Sequence, residues 1–511
     1  MNRTTLNIKN RLSLRQPQTD SLEILETIAD TITLAKGSPL EPALEKIRAL
    51  YPTCTDFERN FPSICFALAT GVGKTRLMGA FIAYLNLAKG IRNFFVLAPN
   101  LTIYNKLIDD LSNTNSPKYV FRGIGEFAAT PPRIITGENY HYAKQVQTTD
   151  TEHTININIF NISKINAETR SGSEPKIKRL SEYLGESYFN YLATLSDLVL
   201  IMDESHHYRA DRGMSVLNEL NPVIGLELTA TPIDSTGNRF KNVVLDYPLG
   251  RAMKDGFVKE PAVATRRDFV PSNYSDEELD RIKIDDGLRI HEKTKVELKI
   301  FSSNNGAPYV KPFVLIVARD TIHSAAIKQY IQSPDFFHGE YADKVMEIHS
   351  NQRGGEKEEN IEKLLTVEDP HNPIEIVIHV NMLKEGWDVT NLYTIVPLRT
   401  AASVILTEQT IGRGLRLPYG KRTGNINVDK LTIVAHDHFQ KIVEEAGKPD
   451  SLINKEKIIF IDDEDVDERK VVVVSAPVVV ARYEEEKKQV IASTTLTAEK
   501  KEEAIAEIEL K

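Results

Sequence analysis

The sequence is short of cysteine, of long apolar runs and of positive charge, and each shortage excludes a class of protein. Only two cysteines occur in 511 residues, Cys54 and Cys65, and they do not form a CxxC pair. This usage is typical of a reducing compartment and provides no zinc framework. No apolar run approaches the roughly 18 residues that a membrane span needs, and the opening stretch MNRTTLNIKNRLSLRQ lacks the apolar core of a signal peptide. We therefore expect a cytoplasmic protein without a membrane segment.

The net charge is negative, because 72 acidic side chains outnumber 63 basic ones and give −9 at pH 7. A protein held on nucleic acid by its overall charge would be basic. Any nucleic-acid path must therefore be a locally basic surface within an acidic protein. Hydrophobic residues make up 41% and charged residues 26% of the chain, which is ordinary globular composition and excludes a fibrous or wholly disordered chain.

Short apolar runs alternate with longer stretches of helical character, which predicts an α/β fold. Runs that are apolar on both faces, with helices between them, indicate parallel strands. The first set of predicted strands is Ser63–Leu68, Asn93–Pro99, Ile155–Ile162, Asp197–Asp203 and Ile224–Thr231. The second set is Phe313–Ala318, Val345–Ser350, Ile374–Val380, Leu392–Leu398 and Leu431–His436. Two such sets predict two doubly wound parallel-sheet lobes in tandem.

The composition along the chain predicts four parts. These are an N-terminal accessory element over 1–45, a first lobe over 46–264, a second lobe over 265–445 and a charged tail over 446–511. The break between the lobes is placed in the polar segment Thr265–Ile284. In the N-terminal element, Ser21–Ala35 predicts a helix with one apolar face, capped by Asp20 or Ser21. The tail alternates acidic blocks with a valine-rich segment, a pattern typical of disorder or of an interaction segment.

The stretch LATGVGKT, Leu68–Thr75, has the context of a phosphate-binding loop, since it follows a predicted strand and precedes an apolar helix. Its glycines allow successive N–H groups to point into one concavity, and the helix adds its positive N-terminal end. The strict pattern begins with glycine where this chain has Leu68, so a glycine-containing turn before a core helix is the alternative. The residues assigned to the nucleotide are Thr70, Gly71, Val72, Gly73, Lys74 and Thr75. Lys74 would bind the β- and γ-phosphates of ATP, and Thr75 would ligate Mg²⁺.

An acidic motif, DESHHY, follows a second predicted strand. A nucleotide hydrolase needs one carboxylate for the metal and another to orient or deprotonate water. Carboxyl ends of parallel strands share one edge of a sheet, so Asp203 and Glu204 would face the phosphate loop. We assign Asp203 to Mg²⁺ and Glu204 to the attacking water.

The polar residues after these carboxylates allow more than one interpretation. His206 and His207 could suggest zinc, but adjacent residues do not normally share a face and no cysteine lies near them in the sequence. His206 as a relay from the acidic motif to the second lobe is preferred, with a neutral core histidine as the alternative. Thr229 and Thr231 in LTATP are assigned to the same coupling, with a plain β-rich edge as the alternative.

An arginine segment, TEQTIGRGLRLP, carries Gln409, Arg413 and Arg416. Arginines three apart lie on one helix face, and an arginine finger stabilises the charge that develops in phosphoryl transfer. A solvated basic helix face is the alternative. Upstream, KEGWDV places Asp388 in a glycine–tryptophan turn, where it could bind the ribose or couple to Arg413; a tight turn with a packing tryptophan is the alternative.

Taken in order, LATGVGKT, VLAPN, DESH, TAT, LKEGWDV and QTIGRGLR resemble the motifs of superfamily 2 helicases and translocases. The forms DESHH and KEGWDV look most like the restriction (Res) subunit of type III restriction–modification enzymes. The resemblance covers roughly residues 12 to 440. It implies two RecA-like lobes, with ATP and Mg²⁺ between them and duplex DNA bound across both through its backbone. It also implies that Gln18, in LRQPQ, reads adenine, that Gln409 couples the two lobes, and that Pro99 and Asn100 contact nucleic acid.

The resemblance has one clear departure. Type III restriction subunits carry a C-terminal nuclease domain, and no nuclease motif is visible here at convincing spacing. We therefore expect an ATP hydrolase that does not itself cut DNA, with a methyltransferase or specificity (Mod-like) subunit and a separate nuclease as possible partners. Two alternatives stay open: an RNA helicase or RNA-remodelling ATPase, and a nucleotide-gated interaction protein that does not translocate.

Overall fold

The computed structural model describes residues 1–140, 154–161, 186–209, 217–234, 236–267, 269–349, 363–364, 366–380, 389–398, 414–436 and 458–461. Met1–Phe460 form one compact unit, and Ile461–Lys511 form a second. Both lobes that the sequence predicts lie within the first unit.

Three helices precede the first sheet: α1 (Arg3–Leu12), α2 (Gln16–Thr31) and α3 (Leu40–Leu50). The apolar face predicted for α2 is confirmed, because Leu22 and Leu25 are fully buried in the core that also contains α4 residues. The predicted cap at Asp20 or Ser21 is wrong. The helix begins at Gln16, five residues before the predicted start at Ser21, because the backbone N–H of Arg15 donates to Oε1 of Gln18 at 2.8 Å and so closes the first turn.

The first sheet has seven parallel strands in the order β3-β4-β2-β5-β6-β1-β7. The strands are β1 (Ser63–Leu68), β2 (Asn93–Ala98), β3 (Arg133–Thr136), β4 (Asn156–Asn161), β5 (Leu198–Asp203), β6 (Ile224–Thr229) and β7 (Val243–Tyr247). The helices beside them are α4 (Lys74–Lys89), α5 (Leu101–Ser112), α6 (Gly125–Ala129), α7 (Glu186–Thr194) and α8 (Leu249–Lys254). Every residue of β1, β5 and β6 is buried, because helices cover both faces of a parallel sheet.

The second sheet also has seven strands, in the order β10-β11-β9-β12-β13-β8-β14. They are β8 (Glu260–Arg266), β9 (Phe313–Val317), β10 (Val345–His349), β11 (Ile376–Val380), β12 (Leu392–Pro397), β13 (Lys430–Val434) and β14 (Ile458–Ile461). The long helix α9 (Asp276–Asn305) and the helix α10 (Thr321–Ile331) accompany them. All ten predicted strands are present, and the predicted two-lobed α/β fold is confirmed.

The second sheet begins earlier in the chain than predicted. Strand β8 pairs with β13 from Glu260 to Ala264, so the predicted boundary at 264/265 runs through a strand of the second sheet. The polar segment proposed as the break is largely the start of α9, where Ser275 and Glu278 form a capping box. Charged residues in SDEELDR therefore mark a helix N-terminus rather than a linker.

Both cysteines are free and buried. Cys65 lies in β1, and Cys54 precedes it in a bridge with Asn242. Burial raises the pKa of the Cys54 thiol to about 12 and raises that of Cys65 well above its ordinary value.

Candidate nucleotide site

The phosphate loop joins β1 to α4 through two glycines in the left-handed region. Gly71 has φ +83° and Gly73 has φ +102°, conformations that residues with a Cβ rarely adopt. A Cβ on Gly73 would lie 2.5 Å from Nε2 of Gln18, and one on Gly71 would lie 3.0 Å from Cγ1 of Val258. The loop is therefore packed against its neighbours on two sides, and only glycine fits at either position.

Helix α4 begins directly after this loop, with Gly73 as its N-cap and without a side-chain cap bond. The first backbone N–H groups of a helix have no partner within the helix, and together with the helix dipole they favour a phosphate. Lys74 and Thr75 stand in this first turn, half-buried. The loop thus has the shape and the polarity that a triphosphate requires.

The acidic motif lies beside the loop because β6 separates β5 from β1 by only one strand. Nζ of Lys74 is 3.0 Å from Oε1 of Glu204, and both side chains are largely buried. Glu204 itself has φ +48°, an uncommon conformation for a residue with a Cβ, and such strained residues cluster at functional sites. The structure therefore places Glu204 of the acidic motif against Lys74 of the phosphate loop.

Asp203 is buried at the end of β5. Burial, and then the neighbouring charge of Glu204, raise the pKa of its carboxyl to about 6, against the opposing effect of Lys74. A buried carboxylate with a raised pKa has too little positive charge near it. A divalent cation would supply that charge, and carboxylate and hydroxyl oxygens are ligands that Mg²⁺ accepts. The buried carboxylate of Asp203 therefore fits a magnesium ligand, and Thr75 is the second ligand that the sequence assigns to this ion.

His206 lies between the acidic motif and the end of β6. Its Nδ1 is 3.1 Å from Oγ1 of Thr229 and 3.7 Å from Oε2 of Glu204. The same Thr229 hydroxyl accepts from the backbone N–H of Thr231 at 3.2 Å. The structure thus brings together the three residues that the sequence assigns to coupling in the first lobe. Among the described residues, the one group with metal-ligand geometry includes neither His206 nor His207.

That group, His291, Glu292 and Glu375, lies in the second lobe and already holds a cation. Nζ of Lys295 is 2.8 Å from Glu292 and 2.9 Å from Glu375. His291 adds a contact of 3.0 Å from Nε2 to Glu375. The ammonium group occupies the position that a metal ion would take, so the cluster is an ion-pair network.

A buried network beneath the coupling residues has no counterpart in the sequence predictions. Glu227 of β6 is fully buried and lies 2.9 Å from Nε of Arg59 and 2.5 Å from Nη2 of Arg209. Burial alone would raise its pKa, but Arg59 and Arg209 lower it to about 2. Arg209 immediately follows the 3-10 turn Ser205–Tyr208 that carries His206, so the network fixes this turn to β6. The sequence signal that could have revealed this network is Glu227 itself, a single charged residue within the apolar run IGLELT.

The N-terminal element reaches the loop through Gln18 and Arg15. Nε2 of Gln18 donates to the carbonyl of Gly73 at 2.9 Å, so the predicted adenine-reading residue does lie at the nucleotide loop. Arg15, which the sequence analysis did not single out, donates from Nη1 to the carbonyl of Gly71 at 2.9 Å and from Nη2 to that of Gly420 at 2.6 Å. It therefore joins the phosphate loop to the second lobe.

The remaining predicted residues divide into three cases. Arg416 lies beside the loop, since a Cβ on Gly71 would be 3.5 Å from its Cγ. Pro99 is buried, and Oδ1 of Asn100 accepts from the N–H of Ile103 as the cap of α5, so both have a structural role in the first lobe. The other assigned residues lie outside the described part of the chain: Asp388, Gln409 and Arg413.

Two tandem sheets, with a phosphate loop and an acidic pair at one edge of the first, define two RecA-like lobes with the P-loop NTPase fold. Residues 13–234 match the family model described as the type III restriction enzyme, res subunit. This stretch contains Gln18, the loop, the acidic motif and Thr229. This part of the chain is therefore similar to the res subunit of type III restriction enzymes.

Curated relatives are similar over part of their length. The chain is 23% identical over 248 residues to the Res subunit of the type III restriction–modification enzyme EcoP15I of Escherichia coli, covering 47% of this chain and 24% of that protein. It is 28% identical over 123 residues to the EcoPI Res subunit of Escherichia phage P1, covering 20% and 12%. The chain thus spans about a quarter or less of the length of these relatives.

Among solved structures, the chain is similar to the ATP-dependent type ISP restriction–modification enzyme LlaBIII bound to DNA. The identity is 13% and the TM-score 0.49, over 93% of this chain and 35% of that one. Within the described part of the chain, no helix is both long enough and apolar enough to cross a membrane.

Proposed function

We propose that this protein is an ATP-dependent motor that hydrolyses ATP between its two lobes and acts on duplex DNA in a restriction-like defence system. The observation that carries the proposal is the contact of 3.0 Å between Lys74 and Glu204. It supports the proposal because Lys74, for which we propose phosphate binding, contacts Glu204, for which we propose the role of general base, next in sequence to the buried Asp203.

The Lys74–Glu204 pair suggests how binding prepares the site for hydrolysis. A triphosphate competes with Glu204 for the ammonium group of Lys74, because both are anions that the same group can bind. Once the ammonium group binds phosphate oxygens, the Glu204 carboxylate is available to orient a water molecule and accept its proton. Thr75 and Asp203 would hold Mg²⁺, which would neutralise negative charge on the phosphates.

The other assigned residues complete the proposed cycle. Gln18 binds adenine, and Thr70, Val72 and the two loop glycines surround the phosphates. Arg413 and Arg416 stabilise the charge that develops in phosphoryl transfer, with Asp388 on the ribose side. We propose that His206, Thr229, Thr231 and Gln409 couple hydrolysis to the second lobe.

The proposed substrate and partners follow from the named relatives. Res subunits of type III restriction–modification enzymes are similar to this chain, which supports duplex DNA as the polymer and a Mod-like methyltransferase subunit as a partner. A separate nuclease is proposed because the sequence shows no nuclease motif at convincing spacing. Pro99 and Asn100 are the proposed contacts in the first lobe. We propose a cytoplasmic location, because both cysteines are free and buried, as in proteins of a reducing compartment.

The test is ATP hydrolysis by the full chain with and without duplex DNA, in the presence of Mg²⁺. We expect DNA to stimulate turnover, and we expect Lys74→Ala to abolish it because the phosphates lose their cation. Lys89→Ala is the matched control: this lysine ends the same helix and pairs with Asp30 at 2.5 Å on the surface, so its loss should leave turnover unchanged. Stimulation by RNA but not by DNA, or turnover that survives in Lys74→Ala, would contradict the proposal.

A further inference from the structure

The segment Phe257–Lys259 connects the two lobes and contacts the nucleotide loop of one and the arginine segment of the other. It lies between α8, which ends at Lys254, and β8, which begins at Glu260. The carbonyl of Phe257 accepts from Arg15 at 3.4 Å. This segment is therefore in contact with the N-terminal element as well as with both lobes.

Val258 packs against the phosphate loop. It is fully buried, and its Cγ1 would lie 3.0 Å from a Cβ on Gly71. Because protein interiors are close-packed, a shift of the loop at Gly71 must move Val258 or open a void. The position of the loop is thus transmitted to the backbone of the connecting segment.

Lys259, the next residue, holds the second lobe at two points. Its ammonium group donates to the carbonyls of Thr390 at 2.7 Å and Leu392 at 2.8 Å, at the start of β12. Its backbone N–H donates to the carbonyl of Leu415 at 2.6 Å. Leu415 immediately precedes Arg416, so this bond fixes the backbone from which Arg416 extends towards the loop.

Burying the ammonium group of Lys259 costs free energy. Lys259 is fully buried, and burial lowers its pKa well below the ordinary value. Nζ also lies 3.8 Å from the ring centre of Tyr393. An apolar side chain of similar volume would avoid the desolvation penalty, but it could not bind two carbonyl groups. The two hydrogen bonds to these carbonyl groups therefore distinguish Lys259 from an apolar core residue.

We propose that Lys259 is a positioning residue for ATP hydrolysis: with Val258 it sets the distance between the phosphate loop and Arg416. This role rests on the proposed ATPase function. It means that the connecting segment, residues 257–259, determines the distance between the phosphate loop and Arg416. Loss of the ammonium group should then slow the chemical step without weakening nucleotide binding, since no residue of the loop is changed.

The experiment compares Lys259→Met with Lys311→Met in the full chain. Lys311 is a matched control, because its buried ammonium group also binds two backbone carbonyls, those of Asn372 and Ile374, and neither belongs to the arginine segment or to the start of β12 that Lys259 binds. We expect Lys259→Met to lower kcat by roughly 10- to 100-fold, with KM and the affinity for ATP changed by less than about twofold. Lys311→Met should lower the melting temperature comparably and leave kcat within about twofold. Lys259→Arg, which keeps the donors, should recover part of kcat.

Equal kcat values for the two methionine variants would overturn the proposal. If Lys259→Met does not fold, Val258→Ala tests the other half of the link: we expect reduced kcat with unchanged ATP affinity, and an unchanged kcat would overturn it. Failure of the proposed ATPase function can be distinguished from failure of the positioning role of Lys259. In that case the wild-type protein would hydrolyse no more ATP than Lys74→Ala.

Discussion

The buried carboxylate of Glu227 gives the sharpest quantitative prediction. It accepts from Arg59 and Arg209, from Oγ of Ser63 at 2.7 Å and from Nδ2 of Asn242 at 3.0 Å. A pKa of about 2 in place of 4.5 corresponds to about 3 kcal/mol of stability. The substitution Glu227→Gln removes this contribution and leaves two largely buried guanidinium groups without their shared anion. Breaking a buried pair from one side costs about 3–5 kcal/mol, so we expect a loss in that range.

Thermal melting of the variant at pH 7 measures this loss. For a lobe of this size, about 3–5 kcal/mol lowers the melting temperature by roughly 10 °C. Glu340→Gln is the control, because Glu340 pairs with Lys344 on the surface and its side chain is 56% exposed, so its loss should cost less than about 1 kcal/mol. A Glu227→Gln variant that melts within 2 °C or so of the Glu340→Gln variant would refute the reasoning.

The pH dependence of the same comparison follows from the direction of the shift. A carboxyl whose pKa is depressed in the folded state stabilises the fold above its unfolded pKa, and this stability is lost as pH falls towards the folded pKa. The difference in melting temperature between wild type and Glu227→Gln should therefore be constant from pH 7 to about 5 and should decrease between about pH 4.5 and 2. A gap that narrows at neutral pH instead would point to a different titrating group.

Two further predictions concern the nucleotide site. The pKa of Asp203 is raised to about 6, so the ionised carboxylate destabilises the fold above that pH. Asp203→Asn should therefore raise the melting temperature at pH 8 and abolish Mg²⁺-dependent hydrolysis. A lower melting temperature would contradict this. His206→Ala should keep basal ATP hydrolysis but lose its stimulation by DNA, because the imidazole that lies between Glu204 and Thr229 is removed. The adjacent, exposed His207 provides the control, and equal stimulation in both variants would show that His206 does not couple.

The sequence predicts those parts of the site whose chemistry depends on residues that are adjacent in the chain. LATGVGKT and DESHH specify local backbone shapes, and the strand order then brings Lys74 to Glu204. By contrast, the charged segment before α9 was interpreted as a linker, because a capping box and a polar break share the same residue types. Strand β8 escaped prediction because Pro261 and its charged ends break the apolar pattern of a buried strand.

Contacts between distant segments could not be predicted where neither segment carries a motif. Lys259 has no motif around it, and its role follows from carbonyl groups more than 130 positions away. Arg15 similarly binds Gly420, which lies 405 residues further along the chain. Periodicity and local motifs carry no information about such pairs, since they arise from the packing of complete lobes.

The two buried cysteines make this chain suitable for site-directed labelling. A thiol reacts as its thiolate. Both thiols are buried, and burial raises the pKa to about 12 for Cys54 and well above its ordinary value for Cys65, so we expect both to react slowly with maleimide dyes at neutral pH. Cysteines introduced at Leu101 in the first lobe and Ile322 in the second, which are 45% and 83% exposed, would then carry a donor–acceptor pair without removing any native residue from the core. Single-molecule energy transfer between them can follow the separation of the two sheets through a cycle of nucleotide binding and hydrolysis.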